Sequence, residues 1–581
     1  MLELILDIAL ALTALGATLF AGMPLVFRLC ERGMWLSKMV LSFVVGFVLL
    51  SLIGVLATLL DLASFIFIFQ TGMILAGVAL SVYYRDRILG QGGPDDGVPQ
   101  DRDDHLDRDD RLVLAMAALY LLIGLFYFDR IIMWMGGDAV AHASIIRMLL
   151  EGEPVPISVY PFGSYWEYYP KAFHLYSFYW AKAFPILNVI QTIPVLLSTM
   201  TPLLLYSIVR EMGKRNEAVY AFVLACFVFS AHYSYLIWAG YPTLAAEMLL
   251  VAGLLAVLVD LRLLALILPG ILFTHTREMV LAVGTLFSWG AATRLKRFLP
   301  IILAGGAAIT AALFLVSPAT HPPEFLLSVA ASQKLASEYA ARWYPAFLSL
   351  FGAAIAIQRR DQLDRLALAW AVVTIVIVLL ADTGPLAFVG TADRLMLVLY
   401  LPLSLLTAVA LSRMDGDDKR VSASFVLVLL LVGTAGMGAV FNSYAESWGL
   451  PQEDYDAIMW LSEQDLSDPV VINLDETGAW VYPVLGIEVA INRGVPIWRY
   501  YHISQGILKD PNGEQLIEQM RHLNREEVIV YVSSVSISRP KHVPPFAEYS
   551  RVHPDGDLHF SQERYDLIYD DGARIFRVKK G

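Results

Sequence analysis

The sequence predicts a polytopic α-helical membrane protein of about fourteen spans, followed by a small extracytoplasmic α/β domain. Three observations predict it. Of 581 residues, 57% are hydrophobic and only 17% charged, against roughly a quarter charged in an ordinary soluble domain, and the mean hydropathy is +0.59. The apolar residues fall in long runs, and crossing a bilayer takes roughly 20 of them in a helix. Composition changes sharply near residue 442, where charges and turn residues return. The net charge of −12 argues against a nucleic-acid partner, because phosphate backbones need clustered Lys and Arg. Two cysteines, Cys30 and Cys226, can form neither a disulfide framework nor a four-ligand zinc site.

The apolar runs are approximately 3–27, 39–60, 63–83, 112–132, 192–210, 217–236, 242–259, 261–274, 279–293, 299–316, 344–358, 366–381, 395–412 and 423–441. The first lacks a basic start and is interrupted by Asp7, so it reads as a span rather than a signal peptide. Runs 261–274 and 279–293 are short and read as helices meeting at a polar break, Thr274-His275-Thr276-Arg277-Glu278. Irregular backbone at that depth persists only where it faces protein or water. Basic residues concentrate in alternate loops, including Arg28, Arg32 and Lys38; Arg85 to Arg111; Arg210, Lys214 and Arg215; Arg262; Arg294 to Arg297; Arg359 to Arg365; and Arg413 to Arg420. These are placed in the cytoplasm. The N-terminus, the loop 133–191 and the C-terminal tail are then outside. In this scheme the aromatic stretch Phe173–Phe184 lies along the membrane surface.

Three regions result. Residues 1–111 hold the first three spans and a cytoplasmic loop, 84–111, whose nine Asp and five Arg read as a solvated linker. Residues 112–441 form the transmembrane core with the large external loop 133–191. Residues 442–581 form the soluble domain. Within it, Tyr455–Gln464 and Glu514–Asn524 have helical spacing, Val470–Leu474 and Val528–Val532 read as strands, and Tyr565–Val578 reads as a hairpin turning at Asp570-Asp571-Gly572.

The external loop carries the polar residues of most interest. Asp138 follows Gly136-Gly137 at the end of a span and can begin a helix, where a carboxylate favours the dipole. His142, four residues on, shares its face. Further along come Trp166-Glu167-Tyr168-Tyr169-Pro170-Lys171 and His174. The aromatics suit a membrane belt, or stacking on sugar rings. His174 suits an interfacial side chain, and His275 and Glu278 suit a buried polar pair at the helix break.

The order of span, Gly-Asp, Arg147, Glu151-Gly152, the Trp-Glu-Tyr-Tyr-Pro segment and an aromatic helix resembles the first external loop of GT-C glycosyltransferases. That superfamily includes oligosaccharyltransferase catalytic subunits and lipid A aminoarabinose transferases. Its members move a sugar from a polyprenyl phosphate or diphosphate to an acceptor outside the membrane. The resemblance implies that Asp138 is the catalytic or metal-associated carboxylate and that Glu167 matches a second acidic position. His275 matches a polar position of relatives. Thr391-Ala392-Asp393-Arg394 resembles the segment whose Arg holds the carrier phosphate. Many relatives carry another Asp in the next external loop; here Ala239-Gly240-Tyr241-Pro242-Thr243 has none, and Glu247 lies a turn deeper. In the tail, Leu474-Asp475-Glu476-Thr477-Gly478 stands where oligosaccharyltransferases carry an acceptor-recognition motif, keeping its Asp and Gly but not its tryptophans. The similarity spans much of residues 112–493.

The implied reaction passes through an oxocarbenium-like state. An acceptor hydroxyl needs a carboxylate base, assigned to Asp138, with Glu167 as the second catalytic carboxylate. The leaving phosphate needs fixed positive charge, assigned to Arg394 and Arg277, with Lys334 also in reach of the role. His142, His174, His275, Glu278, Tyr169 and Lys171 complete the expected site. The expected activity is inverting glycosyl transfer at the plasma membrane. Its partners are a polyprenyl-phosphate-linked sugar, an acceptor glycan, lipid or protein, and membrane lipid. No cofactor is assigned with certainty; a divalent cation, Mg or Mn, would sit on Asp138 and Glu167. The alternatives are a transporter or flippase of lipid-linked sugars, or a non-catalytic assembly protein of the same fold.

Overall fold

The computed structural model describes residues 2–31, 33–88, 106–130, 137–153, 170–229, 235–236, 239–293, 346–381, 397–414, 419–448, 450–475, 477–490, 500–538 and 558–580. The expected span 299–316 and the residues Glu167, Tyr169, Lys334 and Arg394 lie outside them. Among the described residues, six helices are long and apolar enough to cross a membrane: Glu3–Leu29, Trp35–Leu59, Ala63–Tyr83, Arg108–Tyr127, Ile186–Glu211 and Tyr241–Val259. Four shorter apolar helices, Leu261–Thr274, Leu348–Arg359, Tyr400–Met414 and Val421–Gly436, join them. Fourteen full spans are therefore not reached among the described residues, which leave out the expected span 299–316.

The helices used below are α1 (Leu2–Leu29), α2 (Trp35–Leu59), α3 (Ile66–Tyr83), α4 (Arg108–Arg130), α5 (Gly137–Glu151), α6 (Ala172–Ala181), α7 (Ile186–Glu211), α8 (Arg215–Val223), α9 (Tyr241–Val259), α10 (Leu264–Thr274), α11 (Thr276–Thr293), α12 (Ala346–Arg359), α13 (Gln362–Ala381) and α14 (Tyr400–Met414). α1 crosses α2 closely because the crossing is lined by glycine. A Cβ on Gly46 would stand 1.8 Å from the Thr18 carbonyl oxygen, and one on Gly22 2.0 Å from that of Ser42. Small residues let helices approach where lipid supplies no hydrophobic drive between them. Asp7, the charge that interrupts the first run, is buried on α1 and accepts from Asn188 Nδ2 (2.8 Å) and Thr192 Oγ1 (2.9 Å) of α7. A buried carboxylate persists only when hydrogen-bonded, and here it ties two helices together.

The basic loops assigned to one side do meet at one end. Glu211 accepts from the Met34 amide (2.6 Å), and Arg262 donates to the Leu29 carbonyl (2.6 Å). Arg210 pairs with Asp107 (2.6 Å), Lys214 with Asp361 (2.8 Å), and Arg359 with Asp364 (2.8 Å) and Glu217 (3.2 Å). This corrects the reading of 84–111 as linker throughout. Its last residues are structured: Asp107 caps α4 by accepting from the amides of Asp109 and Asp110 (both 2.9 Å), satisfying donors that a helix start leaves unpaired.

A second correction concerns α6. It was expected on the membrane surface, yet it lies inside the protein against α2 and α5, with Phe173, His174, Leu175, Tyr176, Phe178 and Trp180 all buried. Its aromatic residues point around the whole helix, so no single apolar face exists for a membrane surface. Gln70 of α3 donates to the Leu175 carbonyl at 3.0 Å and seals the contact.

The tail folds as expected into an α/β unit. Strands β1 (Pro469–Asn473), β2 (Glu488–Val489), β3 (Glu527–Val532), β4 (Tyr565–Asp571) and β5 (Ala573–Val578) form one sheet in the order β2-β1-β3-β5-β4. β1 runs parallel to β2 and β3, and β5 antiparallel to β3 and β4. The β4–β5 turn is closed by Gly572 at φ 75°, the left-handed region that glycine enters without cost. Helices α15 (Gln452–Ser462), α16 (Tyr501–Lys509) and α17 (Glu514–Arg521) cover the sheet. At the carboxyl ends of β1 and β3, two buried carboxylates meet serines. Asp475 accepts from Ser533, Ser536 and the Gly478 amide, and Asp454 from Ser534 and Tyr531. Burial pushes Asp454 up to about 7 and Asp475 upward as well.

Candidate active site

α5, the start of α6, the N-terminus of α9 and the α10–α11 break carry the polar residues of interest. α5 starts at Gly137, placing Asp138 in its first turn, half-buried. One turn on, His142 is fully buried. Its Nε2 lies 3.1 Å from the carbonyl oxygen of Ala239, and its Nδ1 2.9 Å from Nε2 of His174 on α6. A carbonyl only accepts, so His142 Nε2 carries a proton. In the neutral ring Nδ1 then accepts the Nε2–H of His174. Ala239 itself sits at φ 62°, a left-handed conformation costing a non-glycine residue roughly 1–2 kcal/mol. The strained turn presents its carbonyl to the histidine. The Tyr241 ring lies against His142, with centroids 5.6 Å apart.

Burial dominates the electrostatics of this layer. It pushes His142 down to about 4, opposed by the negative charge of Asp138, and lowers His174 well below the usual histidine range. Lys171, completely buried at the start of α6, is pushed down to about 7. At neutral pH the histidines are uncharged and the lysine is poised to take or release a proton. The sign for stability follows directly. Between about pH 6.5 and 4 the unfolded chain binds a proton at position 142 that the folded one refuses, so stability falls as pH drops through this window. We expect the unfolding temperature in detergent to fall from pH 7.5 to 5, and His142→Gln to flatten that slope. An unchanged slope would refute the assignment.

α10 ends at Thr274, capped by His275, whose backbone is extended (φ −163°, ψ 116°), and α11 begins at Thr276. The polar break read from sequence is thus real, and it holds a buried ion-pair cluster. Arg277 Nε donates to Glu278 Oε1 at 2.7 Å, its Nη2 lies 3.4 Å from Thr243 Oγ1, and His275 pairs with Glu278 from the other side. Arg277, expected at the phosphate, is engaged by Glu278. A guanidinium carries five N–H donors, so that pair does not exhaust it. A turn deeper in α9, the fully buried Glu247 accepts from Tyr400 of α14 at 3.2 Å.

The structure therefore brings together Asp138, His142, His174, Lys171, His275, Arg277 and Glu278. It adds Tyr241, Thr243, Glu247 and Tyr400. The two tyrosines were not singled out from sequence: one aromatic in an apolar run carries no signal, and only Glu247 hinted at a partner. Among the described residues, no group of three His, Cys, Asp or Glu side chains is arranged to hold a metal ion. Both ring nitrogens of His142 face other partners.

The chain is similar to two proteins of solved structure. One is an oligosaccharyltransferase from Archaeoglobus fulgidus, 15% identical, with TM-score 0.41 over 78% of this chain and 71% of that one. The other is ArnT from Cupriavidus metallidurans in the apo state, 14% identical, with TM-score 0.49 over 80% of this chain and 97% of that one. No family model and no curated protein matches the chain.

Proposed function

We propose that this protein is an integral membrane glycosyltransferase. It moves a sugar from a polyprenyl-phosphate donor to an acceptor on the external face of the plasma membrane. The observation that carries the reading is the setting of Asp138: a half-buried carboxylate whose charge acts on the buried His142–His174 pair, in a chain that also buries Arg277. Asp138 accepts the proton of the attacking hydroxyl. Lys171 takes on full charge as the donor phosphate arrives, and the remaining N–H groups of Arg277 add a bidentate partner. Arg394 and Glu167, assigned from the resemblance, would complete the phosphate and acceptor sides. His142 and His174 hold the α5 and α6 elements of the site in register. The neutral pair also keeps charge off the wall facing Asp138. Inversion follows if the hydroxyl attacks the face opposite the phosphate.

The test is direct. Purified protein incubated with a polyprenyl-phosphate sugar should release free polyprenyl phosphate; intact donor after prolonged incubation with glycan, lipid and peptide acceptors would contradict the reading. Its orientation is checked separately. Cys30 and Cys226 are buried, so introduced cysteines report cleanly. Glu518→Cys in the soluble domain should react with an impermeant thiol reagent on intact cells, and Arg413→Cys only after permeabilisation. The reverse pattern would invert the topology.

A further inference from the structure

α5 is one continuous helix from Gly137 to Glu151. Asp138 stands in its first turn and Glu151 at its last residue, roughly 20 Å away at about 1.5 Å per residue. The far end is gripped by the soluble domain. Arg147 Nη2 donates to the Val484 carbonyl at 2.7 Å, and the Tyr482 hydroxyl donates to Glu151 Oε2 at 3.0 Å. Both partners lie in the short helix Val481–Leu485, which ends at Gly486. Gly486 has φ 77°, and a Cβ there would stand 2.9 Å from Glu151 Oε1 and 3.5 Å from Arg147 Cζ. The chain turns against α5 at the one residue type that permits both the conformation and the approach. Burial raises Glu151 above the usual carboxylate range, while Tyr482 and Arg147 hold it down. Beside the grip a cavity of about 470 Å³ opens between the two parts, lined by Met148, Glu151, Tyr482, Glu488 and Arg525. The bonds add to apolar packing, since Met148, Val481 and Tyr482 belong to one buried cluster.

The short helix is also tied to the sheet. It follows Gly478–Trp480, a buried 3₁₀ turn whose first amide donates to Asp475 at the carboxyl end of β1. That end of a parallel sheet is where open α/β folds take ligands. A covalent path of about ten residues therefore runs from Asp475 to the residues that hold α5.

We propose that Arg147 and Glu151 are positioning residues through which the soluble domain sets the placement of Asp138. The inference rests on the reading of Asp138 as the base of glycosyl transfer. A rigid helix passes a displacement at one end to the other, and a misplacement near 1 Å at a catalytic group costs up to about 100-fold in rate. Loosening the grip should therefore slow turnover and spare donor binding, because the grip itself is made by Arg147, Glu151, Tyr482 and Val484, none of which is assigned to the phosphate.

The test uses the full-length protein in detergent or nanodiscs with two single-group variants, Tyr482→Phe and Arg147→Met. Hydrogen–deuterium exchange across 137–151 should rise severalfold in each. The kcat for polyprenyl phosphate release should fall about 10- to 100-fold with the donor KM within about twofold, and Arg147→Lys should recover part of the loss. Unchanged exchange and unchanged kcat would overturn the proposal, as would a rise in KM alone. The exchange measurement stands apart from turnover. A wild type that never consumes donor, but whose α5 loosens in Tyr482→Phe, defeats the glycosyl-transfer reading and leaves the grip established.

Discussion

Asp138→Asn should abolish release of polyprenyl phosphate, by at least about 100-fold, while the protein folds and inserts normally. The substitution keeps the size of the side chain and its place in the first turn of α5, but an amide cannot accept a proton from an attacking hydroxyl. It also removes the negative charge that opposes the burial of His142, so that ring should become still harder to protonate. Two measurements separate catalysis from structure: turnover of a polyprenyl-phosphate sugar, and unfolding temperature. The expected pair of results is lost turnover with unfolding close to wild type. Equal turnover in the two proteins would remove Asp138 as the base.

The largest effect on stability is expected at the helix break. Arg277 and Glu278 are both buried, bonded at 2.7 Å, with His275 on the far side of the carboxylate. Glu278→Ala leaves a guanidinium buried without its counter-charge, and breaking such a pair from one side costs about 3–5 kcal/mol. Removing both charges is milder, since a well-packed apolar pair can replace a buried ion pair at little cost. The double variant Arg277→Met/Glu278→Leu should therefore unfold closer to wild type than Glu278→Ala does. Denaturation in mild detergent checks the ordering. A single variant within about 1 kcal/mol of wild type would show that water reaches the pair.

Most of the architecture was legible in the sequence because hydrophobic periodicity and turn chemistry write it locally. The runs at 39–60, 63–83 and 242–259 became helices with bounds shifted by a few residues. The hairpin at Asp570-Asp571-Gly572 and the parallel strands at 470 and 528 followed the same rules. The break at His275 was visible because five polar residues in an apolar run have few alternatives. What could not be read was set by distant contacts. α6 has the composition of an interfacial helix, but α2 and α5 cover it, and no local pattern encodes that. The His142–His174 pair joins positions 32 residues apart. The acceptor of His142 is a backbone carbonyl at a strained alanine, which leaves no trace in residue type. The grip on Glu151 comes from Tyr482, 331 residues away.

The central claim is that the cluster built by Asp138, His142, Lys171 and Arg277 receives the phosphate of a lipid-linked sugar. An experimental structure of the protein with a non-hydrolysable polyprenyl-phosphate sugar tests it most directly. The phosphate should lie within hydrogen-bonding distance of Lys171 or Arg277, with the anomeric carbon facing Asp138. A phosphate seated at the opposite, arginine-rich end beside Arg210 and Arg359, or a donor that leaves this cluster untouched, would contradict the account.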